Sequence, residues 1–206
     1  MTDHQLSSEA ELRERYGPPS KVVGHKVIDR LEEHSRRFIS LSPFCCLGSS
    51  DAEGRGDVSP RGDRPGFVRV LDDRRLFLPD RPGNNRIDSM RNIVEQPYVG
   101  LLFLIPGVYD VLRVNGRAEV VASPELLEAA AVGEKLPKSG IVVHVEEVFF
   151  HCGRAVKRAD LWNPEVQVPP GTLPRLAEMV RDQLAAVEYD EQLDELAKER
   201  YMDELY

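Results

Sequence analysis

The chain has 206 residues, 41% hydrophobic and 30% charged, with a formal net charge of -8. That supports one hydrophobic core with small appendages, is too apolar for disorder, and has the wrong sign for neutralising nucleic-acid phosphate in bulk. No run approaches the roughly 18 to 20 apolar residues of a membrane-spanning helix. The polar N-terminal stretch has no apolar signal core, so a cytoplasmic location is expected, and Cys45, Cys46 and Cys152 make no disulfide framework.

Residues 1–24 read as a lead-in, with a short helix over Ala10 to Tyr16 ended by Gly17-Pro18-Pro19. A firmer helix is expected from Val27 to Ser40, where Val27, Ile28, Leu31, Phe38 and Leu41 make an apolar stripe. Strands follow near Phe44 to Gly48 and around Val58. Phe67 to Val70 and Leu76 to Pro79 flank the turn Asp72 to Arg75 as a hairpin. Asn85 to Glu95 reads as a short helix with Asn85 as its N-cap and Pro97 enforcing its stop. Tyr98 to Ile105 is an almost continuous apolar run, the pattern of a strand covered on both faces. Val111 to Val121 reads as a long strand with a bulge at Asn115-Gly116. A connecting helix over Pro124 to Val132 and a strand over Ile141 to Phe150 complete the β region.

Beyond an irregular link at Trp162 to Gly171, Thr172 is the expected cap of a last helix, with Leu173, Leu176, Val180, Leu184 and Val187 at helical spacing. Glu188 to Tyr206 carries eight acidic and two basic residues, so the body of the chain is nearly neutral. About six strands and few long helices favour a mainly β (α+β) closed antiparallel barrel over a doubly wound sheet.

Between Asp57 and Gly116 the chemistry concentrates. Asn84, Asn85 and Arg86 stand where a helix begins, so free N–H groups, the helix dipole and a guanidinium favour an anion there. Ser89 lies one turn on and adds a hydroxyl, while Asp88 opposes the charge. Arg61 comes from the preceding SPRGD segment, whose Ser59, Pro60, Arg61 and Gly62 suit a backbone passing close to a planar ligand, and Arg113 sits on a later strand. By themselves these residues define an anion site in a β-barrel. His151-Cys152 to Trp162 is a second patch: Trp162 and Arg158 there, and Tyr109 in the loop after Gly107, are candidates to face a ligand ring, although Trp162 also suits packing beneath the C-terminal helix.

The ordered set Arg61, Gly66-Phe67-Val68, Leu78-Pro79-Asp80, Asn84-Asn85-Arg86, Gln96-Pro97, Val99 to Phe103 and Arg113-Val114-Asn115-Gly116 resembles the pyridoxamine 5'-phosphate oxidase-like family of split-barrel flavoproteins, over about residues 40 to 155. It is more similar to a bacterial subgroup of FMN-dependent enzymes that shares SPRGD, the LPDRxGN turn, IPG and the HC…LW tail. The resemblance implies a six-stranded antiparallel split barrel with flanking helices over residues 25–165, followed by an acidic helical extension over residues 166–206. It also implies a homodimer with FMN at the subunit interface, and electron or hydride transfer to or from a small molecule, with NAD(P)H a candidate partner. Arg61, Asn85, Arg86, Ser89 and Arg113 would then hold the phosphate and ribityl chain, while Ser59, Pro60 and Gly62 border the ring.

The family's phosphate-turn Lys and the Gln before its Arg-Val-x-Gly strand are replaced here by Arg86 and Val111, which argues against vitamin B6 oxidation. The alternatives are an F420-dependent reductase, or a flavin- or haem-binding protein without turnover, for which His144 or His151 would be the axial ligand. The five histidines fit no zinc spacing, so no metal is expected. The two Arg-Gly-Asp triplets read as turn chemistry.

Overall fold

A computed structural model describes residues 4–20 and 26–183. The elements in chain order are α1 (Glu9–Tyr16), α2 (Glu33–Leu41), β1 (Phe44–Ser50), β2 (Gly56–Gly62), β3 (Arg69–Val70), β4 (Arg75–Pro79), α3 (Asp88–Glu95), β5 (Tyr98–Leu104), β6 (Val111–Val121), α4 (Pro124–Ala129), β7 (Gly140–His151), α5 (Arg154–Arg158) and α6 (Leu176–Gln183). The strands form one antiparallel sheet in the order β2-β1-β5-β6-β7-β4-β3. There are seven strands rather than six, the seventh being the two-residue edge strand β3.

The sheet curls on itself, and its two ends meet through side chains at a seam. Arg61 of β2 reaches Asp80, just past β4, at 3.4 Å, and Arg81 binds Asp63, just past β2, at 2.6 Å. This is the split of a split barrel: ion pairs stand where a closed barrel has ladder hydrogen bonds. Inside lie Cys45, Leu47, Leu76, Leu101, Phe103, Leu112, Val114 and Val143, all but sealed from solvent. α3 lies across β1, β2 and β6 and contributes Ile93 to that core. α4 covers the outer side of β4 and β7, where Phe77, Val142 and Ala130 make a second, small core.

Several expectations shift. The helix expected from Val27 begins only at Glu33, because Ile28 exchanges backbone hydrogen bonds with Val148 of β7 and Leu31 donates to Asp73. Glu32 is the true N-cap; its carboxylate accepts from the His34 and Ser35 amides at 2.7 Å each. Asn85 does not cap α3. The residue before α3 is Ile87, with φ of 51°, and no side chain caps that end. Thr172 donates to the Pro169 carbonyl instead of capping, and α6 starts at Leu176. Leu184, Val187 and the acidic end lie outside the described residues. α4 stops at Ala129, where Val132 and Lys135 close a turn on each other.

The extent of β6 and its bulge at Asn115/Gly116 stand as expected, and the hairpin forms with its first strand shortened to Arg69–Val70, because Phe67 gives its amide to the Arg64 carbonyl in a turn. β5 differs in one respect that matters. Val99, Leu101 and Phe103 are buried, but Gly100, Leu102 and Leu104 on its other face are only half-buried, so the chain covers just one side of this apolar strand. Among the described residues no helix is long and apolar enough to cross a membrane.

Candidate functional site

Cross-strand register sorts the expected ligand residues. Arg61 pairs with Cys45, which pairs with Phe103, and Cys45 and Phe103 point into the barrel. Ser59 is two residues back along β2 on the same side. Its hydroxyl lies 3.0 Å from that of Ser89, which is buried on the first turn of α3. Arg113 belongs to the neighbouring row: it pairs with Leu102, which pairs with Cys46, and that row faces outward. A strand's side chains alternate between faces, so Arg61 and Arg113 lie on opposite sides of the sheet. The structure sets Ser59 against Ser89, with Arg61 on the same side of β2, and leaves Arg113 elsewhere.

The first group lies at the seam, where Arg61 faces Asp80. The Nε of Arg61 is buried without a hydrogen-bond partner. Its nearest acid, Asp80, is pushed above the usual aspartate range by burial, only partly offset by Arg61 and Lys138. The turn before α3 holds two non-glycine residues in the left-handed region, Asn85 at φ 58° and Ile87 at φ 51°. That conformation is costly for a β-branched residue. With no side-chain cap, the first amides of α3 are left for an external acceptor. Arg86 is exposed, and its guanidinium is held by Asp88 at 2.8 Å, so it stands at the rim with its charge already paired. Pro60 faces outward in the Cys46 row. A Cβ on Gly62 would meet Phe44 and the Pro43 carbonyl only at ordinary contact distance.

The second group lines an open groove of about 640 Å³ on the outer side of β1, β5 and β6, closed at one end by Cys152, Ala155 and Val156. Its floor is a cross-strand glycine pair, Gly48 and Gly100. A Cβ on Gly48 would touch only the Gly100 carbonyl, at 3.6 Å, so the floor is open there, while the Asn115 side-chain oxygen stands 3.3 Å from where a Cβ on Gly100 would lie. Val58 borders it and is 73% exposed. Arg113 lies at the groove, with its guanidinium carbon 4.3 Å from the centre of the Phe149 ring and its own Nε buried and unpartnered.

Beyond the groove, the Trp162 indole donates to the Val108 carbonyl at 2.8 Å, and Lys157 lies 5.6 Å from the centre of the Tyr109 ring. Trp162 and Tyr109 thus share one loop cluster, while Arg158 is exposed. His144 is exposed and 3.0 Å from Glu119, so of the two histidines considered only His151 lines the groove. Among the described residues no cluster of His, Cys, Asp or Glu has metal-binding form.

Sequence reasoning missed Gly48, Gly100, Lys26 and Phe149. The two glycines carried a signal, since a glycine inside an apolar strand marks a close approach. Lys26 carried none.

Taken together, these features define a split β-barrel with Ser59, Arg61 and Ser89 at its seam and an apolar groove on its outer wall. The sequence profile of the Pyridoxamine 5'-phosphate oxidase family matches residues 31–152, more than half the chain, and the chain belongs to that family. No protein of curated function matches in sequence. Solved structures similar to this chain include HupZ of Group A Streptococcus, at 21% identity and a TM-score of 0.49, covering 58% of this chain and 93% of that one. HutZ, described as a haem storage protein of Vibrio cholerae, is 14% identical with a TM-score of 0.42, covering 60% and 94%. An FMN-binding protein of Syntrophomonas wolfei is 13% identical with a TM-score of 0.41, covering 56% and 82%.

Proposed function

We propose that this protein is a homodimeric FMN-dependent oxidoreductase acting on a small molecule, with the flavin bound between subunits. The observation that carries this reading is the separation of two half-sites. One chain has phosphate-binding chemistry at its seam, and an uncovered apolar wall with a glycine floor on another face. A two-fold partner sets the seam of each protomer against the wall of the other, because an isologous interface pairs different patches reciprocally. It also covers the Gly100 end of the outer face of β5, beside the floor glycine Gly48.

In this arrangement Arg61, Ser59, Ser89 and the uncapped first amides of α3 hold the phosphate, as the buried, unpartnered Nε of Arg61 favours. Pro60 and Gly62 border the ring, and the partner's Gly48 gives it an open bed. Bound there, FMN supplies the electron or hydride transfer, and the protein positions it. Arg113 is not assigned to the phosphate, because it faces the groove. Arg86→Ala should weaken FMN retention by less than Arg61→Ala, since Asp88 already holds the Arg86 charge.

A haem reading has one observation in its favour. His151 lines the groove, and burial favours its neutral form, the one that ligates iron. Mass spectrometry of the small molecule released on denaturation, with sedimentation of the native protein, tests both readings. FMN from a dimer is the expected result. Release of F420 or haem, or a monomer without cofactor after incubation with FMN, overturns it.

A further inference from the structure

Arg113 stands at the centre of a positive pole that the flavin reading does not use. It stacks on Phe149, and among the described residues it has no acidic partner and no acceptor for its Nε. Lys26 comes to the same ring from the segment before α2, its Nζ 5.1 Å from the ring centre and donating to the Phe150 carbonyl at 2.7 Å. His151 packs on the ring as well, with centroids 4.7 Å apart. Burial, and after it the charges of Arg113 and Lys26, hold its imidazole below the ordinary histidine range.

Two cations and an imidazole thus surround one aromatic ring. A role confined to packing would leave a buried guanidinium N–H without an acceptor, which is destabilising. An external acceptor removes that cost. The groove running from this pole is lined by Leu102, Leu104 and Val111, so the occupant it fits has an anionic head and an apolar body.

We propose that Arg113 and Lys26, with His151 beside them, form the anchoring subsite for a small organic anion, a carboxylate or phosphate head on an apolar body that lies along the groove. That this anion is the substrate rests on the flavin reading above; that the pole binds it does not.

The test is calorimetric titration of the full-length protein with octanoate, octyl phosphate and octanol, with flavin content read on the same samples. Octanoate or octyl phosphate should bind at least tenfold more tightly than octanol, and the tighter of the two identifies the head group. Arg113→Gln and Lys26→Gln should each lose tenfold or more of that affinity while retaining flavin. Lys26→Gln keeps the test decisive if the Arg113 variant misfolds. Equal binding of octanol and both anions, or anion affinity unchanged in a folded variant, overturns the subsite. Loss of flavin together with anion binding in Arg113→Gln returns that residue to the cofactor and overturns the substrate assignment. Absence of flavin from the wild type, with the anion preference intact, sinks only the flavin reading.

Discussion

Arg61 and Asp80 meet at 3.4 Å across the seam, and the pairing is a poor one for the acid. Asp80 sits above its ordinary range because burial outweighs the attraction of Arg61 and Lys138. Arg61 is therefore held by a partner that loses stability when ionised, and it keeps an unpartnered Nε besides. Such a guanidinium is poised for a stronger anion.

The two halves of this pair should respond in opposite directions. Arg61→Ala is expected to weaken FMN retention by about tenfold or more, from a charged hydrogen bond worth ~1.5 to 3 kcal/mol. Asp80→Asn should hold FMN as tightly or more tightly, since the competing carboxylate is gone. Equilibrium dialysis of both variants checks this, and a loss of affinity in Asp80→Asn speaks against a phosphate at Arg61.

His151 gives a pH dependence whose sign can be worked out. Its folded value lies below its unfolded value of ~6.5. The unfolded chain therefore takes up the proton first as pH falls, and stability is lost from about pH 6.5 downward through the folded value. His151→Gln removes that contribution. Melting curves between pH 5 and 7 should show a shallower loss in the variant than in the wild type; parallel curves would show that His151 is not the group responsible.

Two glycines should behave differently when given a methyl group. At Gly116, in the β6 bulge, a Cβ would overlap the His144 carbonyl of the adjoining strand, and backbone cannot move aside cheaply. Gly116→Ala is expected to cost ~1 to 3 kcal/mol or more, seen as a Tm lower by several degrees. At Gly48 the added Cβ makes ordinary contact only, so Gly48→Ala should melt at or slightly above the wild-type temperature. It raises the groove floor, and flavin retention or dimer affinity should fall. A variant unchanged in both would show that nothing lies on that floor.

Asn92 tests how α3 is docked. It is fully buried, and its amide donates to Asp57 at 2.7 Å and to Ser49 at 3.1 Å. Asn92→Ala strips both acceptors of their donor, and chemical denaturation should show a loss of about 1 to 3 kcal/mol. If stability is preserved, the packing of Ile93 alone suffices to hold this helix.

Most of the barrel was legible in the sequence because its signals are local. Alternating apolar residues, Gly/Pro turns and the Asn115-Gly116 bend depend on neighbours a few residues away, and the hairpin, β6 and its bulge follow from them. The start of α2 was not legible. Its first expected turn gives its backbone hydrogen bonds to Val148 and Asp73, more than forty residues away, and helix propensity carries no record of such a partner. The two thiols show the same contrast. Their alternation was readable from adjacency, but only packing made Cys45 an inert thiol with its pKa pushed up to about 12 by burial.

Composition and pattern by themselves determined the class of fold, the basic residues available to an anion and the place of the turn before α3. The tertiary structure alone decided which of those residues can act together. Side chains on a strand alternate between faces, and whether a face looks inward or outward depends on how seven strands pair and curl. That is why Ser59 meets Ser89 and Arg61 meets Asp80 at the seam while Arg113 turns to the opposite wall, beside Phe149 and Lys26.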